Sequence, residues 1–360
     1  MTTGPYKESV CVVGVGASTA IGRTAPASAA AVRASIAGFS EHPQAVDKNG
    51  NEMIVARAPY LPAELSGEPR LLELAASSLG EAMAHLRAAS GTLGKPLPAF
   101  LGLPDPRPGL PDDLPRELTS HLEEHFGQSI LSVETIRGGH SVGLLALREA
   151  YNAIAAGRLD FCLAGGADSY LTSVESLEWL DGDDRLHSVE NSWGFVPGEA
   201  AGFCLLASRR AAARHALPSL AGVLAVTTDR ESHTSRSDGI CTGEGLTRAF
   251  RGALDSLSPG DLVDHIVCDL NGETYRAEEF GFAIARTASR FRDAADYLAP
   301  TDCWGDVGAA SGPLFLSLAV AARQRGYSTG PHWLLWTSSE NGERAAALLR
   351  VSHNTSGGAP

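Results

Sequence analysis

The chain has 360 residues, too many for one small core and enough for two domains or one duplicated architecture. Hydrophobic residues make up 44% and charged residues 20%, ordinary proportions for a globular protein in water. The formal charge of −13 repels phosphate backbones and anionic lipid, so nucleic-acid and membrane-surface binding are excluded as general roles, although a local basic patch remains compatible with it.

Residues Met1 to Val10 are polar and charged, with no apolar core of a signal peptide. No apolar run reaches the roughly 18–20 residues that span a bilayer. A cytoplasmic protein is expected. Of the six cysteines, Cys11, Cys162, Cys204 and Cys268 sit in apolar, strand-like runs, Cys241 and Cys303 do not, and none forms a CxxC pair. Buried reduced thiols are expected, with neither a zinc site nor a disulfide framework.

In chain order, Val10–Val15 reads as a buried strand ending in Gly14-Val15-Gly16, and Ala27–Ala37 as a helix. The glycine triplet lacks the third glycine and the acidic ribose partner of a dinucleotide site. Residues 40–68 carry Pro43, Asn49, Gly50, Asn51, Pro59, Pro62 and Gly67, and read mostly as loop. Leu71, Leu74, Leu79, Met83 and Leu86 give helical periodicity over Arg70–Ala89. A strand at Ala99–Leu103, a Pro-rich loop over 104–115 and a helix at Leu114–Phe126 follow. Ile130–Thr135 reads as a strand, 137–141 as a turn, and Val142–Ala156 as an Ala/Leu-rich helix with Gly157 at its C-terminal cap. Phe161–Gly165 and Ala201–Ala207 are buried strands.

The alternation restarts after Pro218. A strand at Leu220–Thr227 leads to a helix at Gly245–Leu257, a strand at His265–Leu270 and helices at Ala277–Phe291 and Ala309–Arg323. Strands at Trp333–Trp336 and Ala345–Val351 close it, and 353–360 reads as a loose tail. Strand–helix alternation predicts mainly parallel sheet covered by helices. Two halves, each ending in two strands, predict an internally duplicated, layered α/β protein, with boundaries at 1–212, 213–352 and 353–360.

Five segments then carry a resemblance. Leu163-Ala164-Gly165-Gly166-Ala167-Asp168-Ser169, Gly194-Phe195-Val196-Pro197-Gly198-Glu199-Ala200-Ala201-Gly202, Thr242–Ala249, Asn271-Gly272-Glu273-Thr274 and Gly305–Gly312 resemble, in order and spacing, motifs of the β-ketoacyl-acyl-carrier-protein synthases of the thiolase superfamily. The resemblance implies the thiolase-like fold: two βαβαβαββ halves in an α/β/α/β/α arrangement. It also implies a homodimer or a heterodimer with a ketosynthase, an acyl channel, and a carrier-protein partner with a phosphopantetheine arm. It implies no cofactor and no metal.

The chain departs from the pattern at the residues of the family's reaction. The family's nucleophilic cysteine falls on His140, its two histidines on Asn271 and Asp306, and its supporting lysine on Asp302. Its glycine-rich gating loop falls on Ser338-Ser339-Glu340-Asn341-Gly342-Glu343. Decarboxylative condensation needs a thiolate at a helix N-terminus and donors for the developing enolate. An ionised Asp306 would instead repel a malonyl carboxylate, by about 4 kcal/mol at ~4 Å and an effective dielectric of ~20, or about a thousandfold in rate.

Several readings stay open at this stage. The helix terminus disfavours imidazolium and predicts a neutral His140. His140 oriented by Asp306, with Ser141 adjacent as an acyl acceptor, makes a catalytic group for thioester hydrolysis or acyl transfer. Alternatively, His140, Asn271 and Asp306 satisfy one another as a buried polar network in a site that performs no condensation. The protein is then a non-elongating subunit that binds an acyl chain, an acyl carrier or a ketosynthase partner. A conventional 3-oxoacyl synthase whose nucleophile lies elsewhere, with Cys303 near Asp306, is a third reading. Glu273, where the family has threonine, adds negative charge or is hydrogen-bonded. His233 reads as a surface residue, and the loops at 40–70 and 104–116 as cover for the pocket.

Overall fold

The computed structural model describes residues 9–86 and 96–351. Strand β1 (Val10–Ser18) is an almost fully buried apolar run, as expected of a strand covered on both faces. Helix α1 (Ala25–Arg33) is capped by Thr24, whose hydroxyl accepts the Ala27 amide at 3.4 Å, with Pro26 in the first turn.

The expected loop over 40–68 is corrected: β2 (Phe39–Val46) and β3 (Glu52–Ala56) form an antiparallel hairpin. Nearly every β2 side chain is exposed, so no apolar alternation marks the strand. Helix α2 (Glu68–Ala82) follows the predicted periodicity, whose last residues, 87–89, lie outside the described ones.

The first half continues with β4 (Leu97–Pro104), α3 (Leu114–Phe126), β5 (Ile130–Gly138), α4 (Val142–Ala155), β6 (Phe161–Ser169), α5 (Val174–Gly182), β7 (Glu199–Ser208) and α6 (Arg209–Arg214). Gly157, at φ 72°, ends α4 by donating its amide to the Ile154 carbonyl at 2.9 Å. The second half runs β8 (Ala221–Arg230), α7 (Glu244–Leu254), β9 (His265–Cys268), α8 (Thr274–Thr287), β10 (Tyr297–Leu298), α9 (Thr301–Trp304), α10 (Ser311–Gln324), β11 (His332–Ser338) and β12 (Glu343–Val351). The tail predicted at 353–360 lies outside the described residues.

The large sheet has the order β10-β9-β11-β12-β8-β1-β7-β6-β4-β5. Read outward from its middle, β1-β7-β6-β4-β5 repeats as β8-β12-β11-β9-β10. The sense of pairing repeats too: β4/β5 and β4/β6 are parallel, as are β9/β10 and β9/β11, whereas β6/β7 and β7/β1 are antiparallel, as are β11/β12 and β12/β8. The halves join where Val10–Val12 pair with Ala221–Val223. This is the thiolase-like architecture.

Helices α4 and α10 touch each other and lie against strands of both halves. The core around them includes Leu144, Leu147, Leu314, Phe315, Trp304 and Trp333. Separate apolar layers lie under α2 and α3, through Leu71, Leu79 and Leu118, and under α7 and α8, through Phe250, Phe280 and Trp336. Among the described residues no helix is long and apolar enough to cross a membrane.

Candidate functional site

The N-terminus of α4 and the turn before α10 meet at the middle of the molecule. Gly143 permits the approach: a Cβ there would lie 2.5 Å from the Ala309 carbonyl oxygen and 2.6 Å from Pro313. Gly308, at φ 45°, takes a backbone conformation that L side chains rarely adopt. The Gly194–Gly202 segment fixes the same turn from the other side. The Asp306 amide donates to the Val196 carbonyl at 2.7 Å, and the Gly198 amide donates to the Asp306 carbonyl at 2.8 Å.

His140 stands at the end of the β5–α4 turn and is 3% exposed. Its Nε2 lies 2.8 and 2.9 Å from the two Asp306 carboxylate oxygens. Asp306, 1% exposed, also accepts the Asn271 side-chain amide at 2.6 Å and the Gly308 backbone amide at 2.9 Å. The structure therefore brings His140, Asn271 and Asp306 together. The Ser141 hydroxyl stands apart from them, donating toward the Thr337 and Glu343 carbonyls at 3.0 Å each. The Ser141 amide donates to Ser339 Oγ at 2.9 Å. Ser141 thus ties α4 to the β11–β12 turn, and its hydroxyl makes no hydrogen bond to the imidazole.

The expected neutral imidazole is corrected. Burial, the largest effect, and the nearby Arg276 work against the cation, but the charge and hydrogen bond of Asp306 together with the charge of Asp269 outweigh them, so the His140 pKa is raised. Burial likewise pushes the Asp306 carboxyl up, while His140, Arg276 and Asn271 pull it further down, well below the ordinary carboxylate range. The helix-terminus argument omitted a carboxylate in direct contact, at under 3 Å.

Arg276, on α8 and fully buried, was not anticipated. Its Nη2 lies 3.3–3.4 Å from both His140 ring nitrogens, nearly equidistant, so it faces the ring rather than a single lone pair. Its other nitrogens reach Asp269 at 3.2 Å, the Ser338 carbonyl at 2.8 Å and Glu273 at 3.4 Å. Glu273 binds Arg185 at 2.9 and 3.1 Å and accepts from Asn271 at 3.1 Å. It is a paired charge whose carboxyl is held below its ordinary pKa, despite burial, by Arg276 and Arg185. The sequence signal for Arg276 was available: with Phe280, Ala283 and Thr287 it occupies the buried stripe of α8, where an arginine requires partners.

The ionic chain continues to the surface. Arg185 also pairs with Glu340 at 2.7 Å, and Glu340 with Arg236 at 2.6 Å. Asn341 donates to Asp105 at 3.1 Å. These contacts fold the β11–β12 turn over a cavity of about 430 Å³ that opens on His140. Its walls include Pro104, Arg107, Tyr170, Trp179, Arg236 and Glu340. Arg107 is fixed by Asp168 at 2.6 Å and lies 4.0 Å from the Tyr170 ring centroid. Of the two loops expected to cover the pocket, the Pro-rich one supplies a wall.

None of the six cysteines lines this cavity. Burial pushes Cys162 and Cys204 up to about 12 and raises Cys241, Cys268 and Cys303 as well. Thiolate formation is disfavoured at each of these five, the reverse of an activated nucleophile. Cys303 packs into the central core. Asp302 is on the exposed side of α9, and His233 is exposed. Glu231, Cys241 and Glu279 do gather in one place, but Glu279 is already paired with Arg344 and Glu231 caps the Gly245 amide at 2.7 Å.

Residues 132–212 match the model of the family Beta-ketoacyl synthase, N-terminal domain. Among curated proteins none matches the chain. Solved structures match over nearly the whole chain. A type II polyketide synthase acyl-carrier protein in complex with its ketosynthase bound to the hexaketide aligns at a TM-score of 0.78 and 15% identity, over 95% of this chain and 99% of that one. The ishigamide ketosynthase/chain length factor gives 0.76 and 18% over 95% and 99%. A ketosynthase in complex with its chain length factor from Xenorhabdus doucetiae gives 0.75 and 15% over 98% and 100%.

Proposed function

We propose, for a chain with the fold of ketosynthases and chain length factors and a ketosynthase-family match at residues 132–212, that it is a ketosynthase-like subunit without condensing activity, working beside an active ketosynthase in fatty-acid- or polyketide-like metabolism. One observation carries the reading. At the head of the central helix α4 the position of the expected thiol holds an imidazole bound to both oxygens of a buried carboxylate, with an amide on the same carboxylate.

Such a group cannot open a thioester as sulfur does. An imidazole with Nε2 on the Asp306 carboxylate and a guanidinium over its ring is held in place by ionic contacts and pushed toward its cationic form, which carries no lone pair with which to act as a base. Asp306 also brings negative charge to the place where a malonyl carboxylate would lose carbon dioxide. Hydrolysis through a His140–Asp306–Ser141 set is disfavoured for the same reason, and because the serine hydroxyl is engaged elsewhere. Cys303 as an alternative nucleophile is disfavoured by its burial in the core.

In the active assembly a second subunit supplies the condensing chemistry, with an acyl carrier protein delivering the chain, while this one shapes the assembly. The test is co-expression with a candidate ketosynthase, followed by assay of malonyl- and acyl-thioester turnover by each subunit alone and together. The expected result is a stable heterodimer in which this subunit alone neither decarboxylates nor forms an acyl adduct in intact-mass spectra. Turnover by the isolated subunit that survives replacement of the partner, and is abolished by substituting one of its cysteines, would overturn the reading.

A further inference from the structure

Helix α3 buries Leu114, Leu118, Leu122 and Phe126 along one stripe. At the edge of that stripe it carries two histidines one turn apart, in the run His121-Leu122-Glu123-Glu124-His125. Imidazoles at i and i+4 project from one face of a helix and can reach a single ion. Their ring centroids lie 5.9 Å apart, with 31° between the ring planes. A tetrahedral ion bound about 2.0–2.1 Å from one nitrogen of each ring would set the centroids about 5 Å apart, so a small turn of the side chains closes the pair on it.

A second observation concerns one of these nitrogens. His121 is partly buried, and its Nε2 is shut from solvent with no hydrogen-bond partner among the described residues. Buried polar atoms are nearly always paired. Contact between two rings accounts for their approach, but it leaves this nitrogen unanswered. A nitrogen already out of water also gives up little hydration when it takes a metal. His125 packs against the Phe126 ring at 4.8 Å yet is exposed, so an ion from solution has access to the pair. Glu124, also exposed, adds negative charge beside it.

We propose that His121 and His125 form a binding site for a divalent transition metal, zinc in the first place. Imidazole suits zinc, copper and nickel, but the right angles of square-planar or octahedral ions would draw the centroids to about 4.5 Å, further from the observed spacing. The same His-x-x-Glu-His spacing places zinc ligands on a helix in one class of peptidases. Catalytic zinc ordinarily has three protein ligands, and among the described residues no third one joins this pair. Water then completes the shell, and the site binds without hydrolysing. The expectation of no zinc site rested on the cysteines, none of which takes part here. The inference is independent of the condensation question, because neither histidine belongs to the His140 cluster.

The test is isothermal titration calorimetry of zinc chloride into the metal-free full chain. The expected result is saturable uptake that weakens about tenfold or more in His121→Asn and in His125→Asn. His85→Asn, at an exposed histidine after α2, and Cys241→Ser should each change it less than twofold. Zinc should also raise the melting temperature of the unmodified chain and of neither α3 variant, since an ion that binds the fold and not the unfolded chain stabilises it. Circular dichroism of each variant controls for folding. Absence of saturable uptake, or unchanged uptake in either α3 variant, would overturn the proposal. So would an equal loss in Cys241→Ser, which would move the ion to Glu231, Cys241 and Glu279. Uptake without any rise in melting temperature would mean an adventitious ion only, and would overturn it too.

Discussion

At His140, two opposing physical effects act on one side chain, and distance decides between them. Burial and Arg276 push the imidazole toward neutrality, whereas Asp306, at 2.8 and 2.9 Å, pushes it toward the cation. The consequence is a pH dependence whose sign follows from linkage. The His140 pKa is raised in the fold above its ordinary 6.5, so its contribution to stability is complete below 6.5 and is lost as pH rises through the raised value. Asp306 is depressed below its ordinary 3.8, so its contribution is present above 3.8 and is lost only in strong acid. The pair is therefore fully effective between about pH 4 and 6.5. Replacing His140 with glutamine leaves the buried carboxylate without its cationic neighbour in direct contact and should cost about 3 kcal/mol in that window, where removing one partner of a buried pair typically costs about 3–5 kcal/mol. The cost should shrink as the pH is raised toward 9. Thermal melting of both proteins from pH 5 to 9 measures it, and a melting difference that stays constant over that range would contradict the assigned ion pair. Arg276, Asp269 and Glu340 also face this imidazole, so the shift is expected to be broad rather than a single sharp titration.

The turn between β11 and β12 shows what one acidic residue does to an element. Glu340 is gripped by Arg185 and Arg236, and its neighbour Asn341 by Asp105 and, through its carbonyl, by Arg230 at 2.8 Å. Four surrounding segments thus hold a turn that forms part of the cavity wall. In Glu340→Gln both ion pairs are lost. Amide hydrogen exchange over residues 338–343 should then accelerate about tenfold, equivalent to about 1.4 kcal/mol of local opening, with the exchange of α4 unchanged. Unaltered exchange in the turn would mean that backbone pairing alone holds it. This latch illustrates where sequence reading stops. The motif spacing located the turn and the His140, Asn271 and Asp306 positions, because glycines and chain order are local information. Helices α4 and α10 were legible for the same reason, as long apolar periods with clear ends. The hairpin β2–β3 was not, since its polar strand has no buried face to generate a pattern. Helix α5 hid behind a short, weakly amphipathic run, although Ser173 caps it by accepting the Ser176 amide at 3.3 Å. Arg185, Arg236 and Glu340 were unreadable in a different sense. Their partners are 88 or more residues away, and a surface-like charged residue becomes structural only through a contact that the linear pattern does not encode.

At the scale of the molecule, topology and energetics divide the chain differently. The repeated strand order makes two halves, and we propose that the division near residues 212–213 is topological only. The two halves of the sheet meet through β1 and β8, and α4 and α10 touch each other while each packs against strands from both halves. One apolar core holds Leu144 and Leu147 of the first half together with Leu314, Phe315 and Trp333 of the second. If either half unfolded alone, it would strip one side of that core into water, at about 25 cal/mol per Å² of apolar surface. It would also break the links between halves at the site, since His140 belongs to the first half and Asp306, Asn271 and Arg276 to the second. Neither half can therefore persist without the other, and heat should unfold the protein in a single transition. Differential scanning calorimetry of the full chain tests this through the ratio of calorimetric to van't Hoff enthalpy, expected near unity where the transition is reversible. The same experiment on His140→Gln should show one transition moved to lower temperature, because a defect at the seam weakens both halves at once. Two resolved transitions in either protein would mean that the halves are energetic domains after all, and that the central helices belong to one half more than to the other.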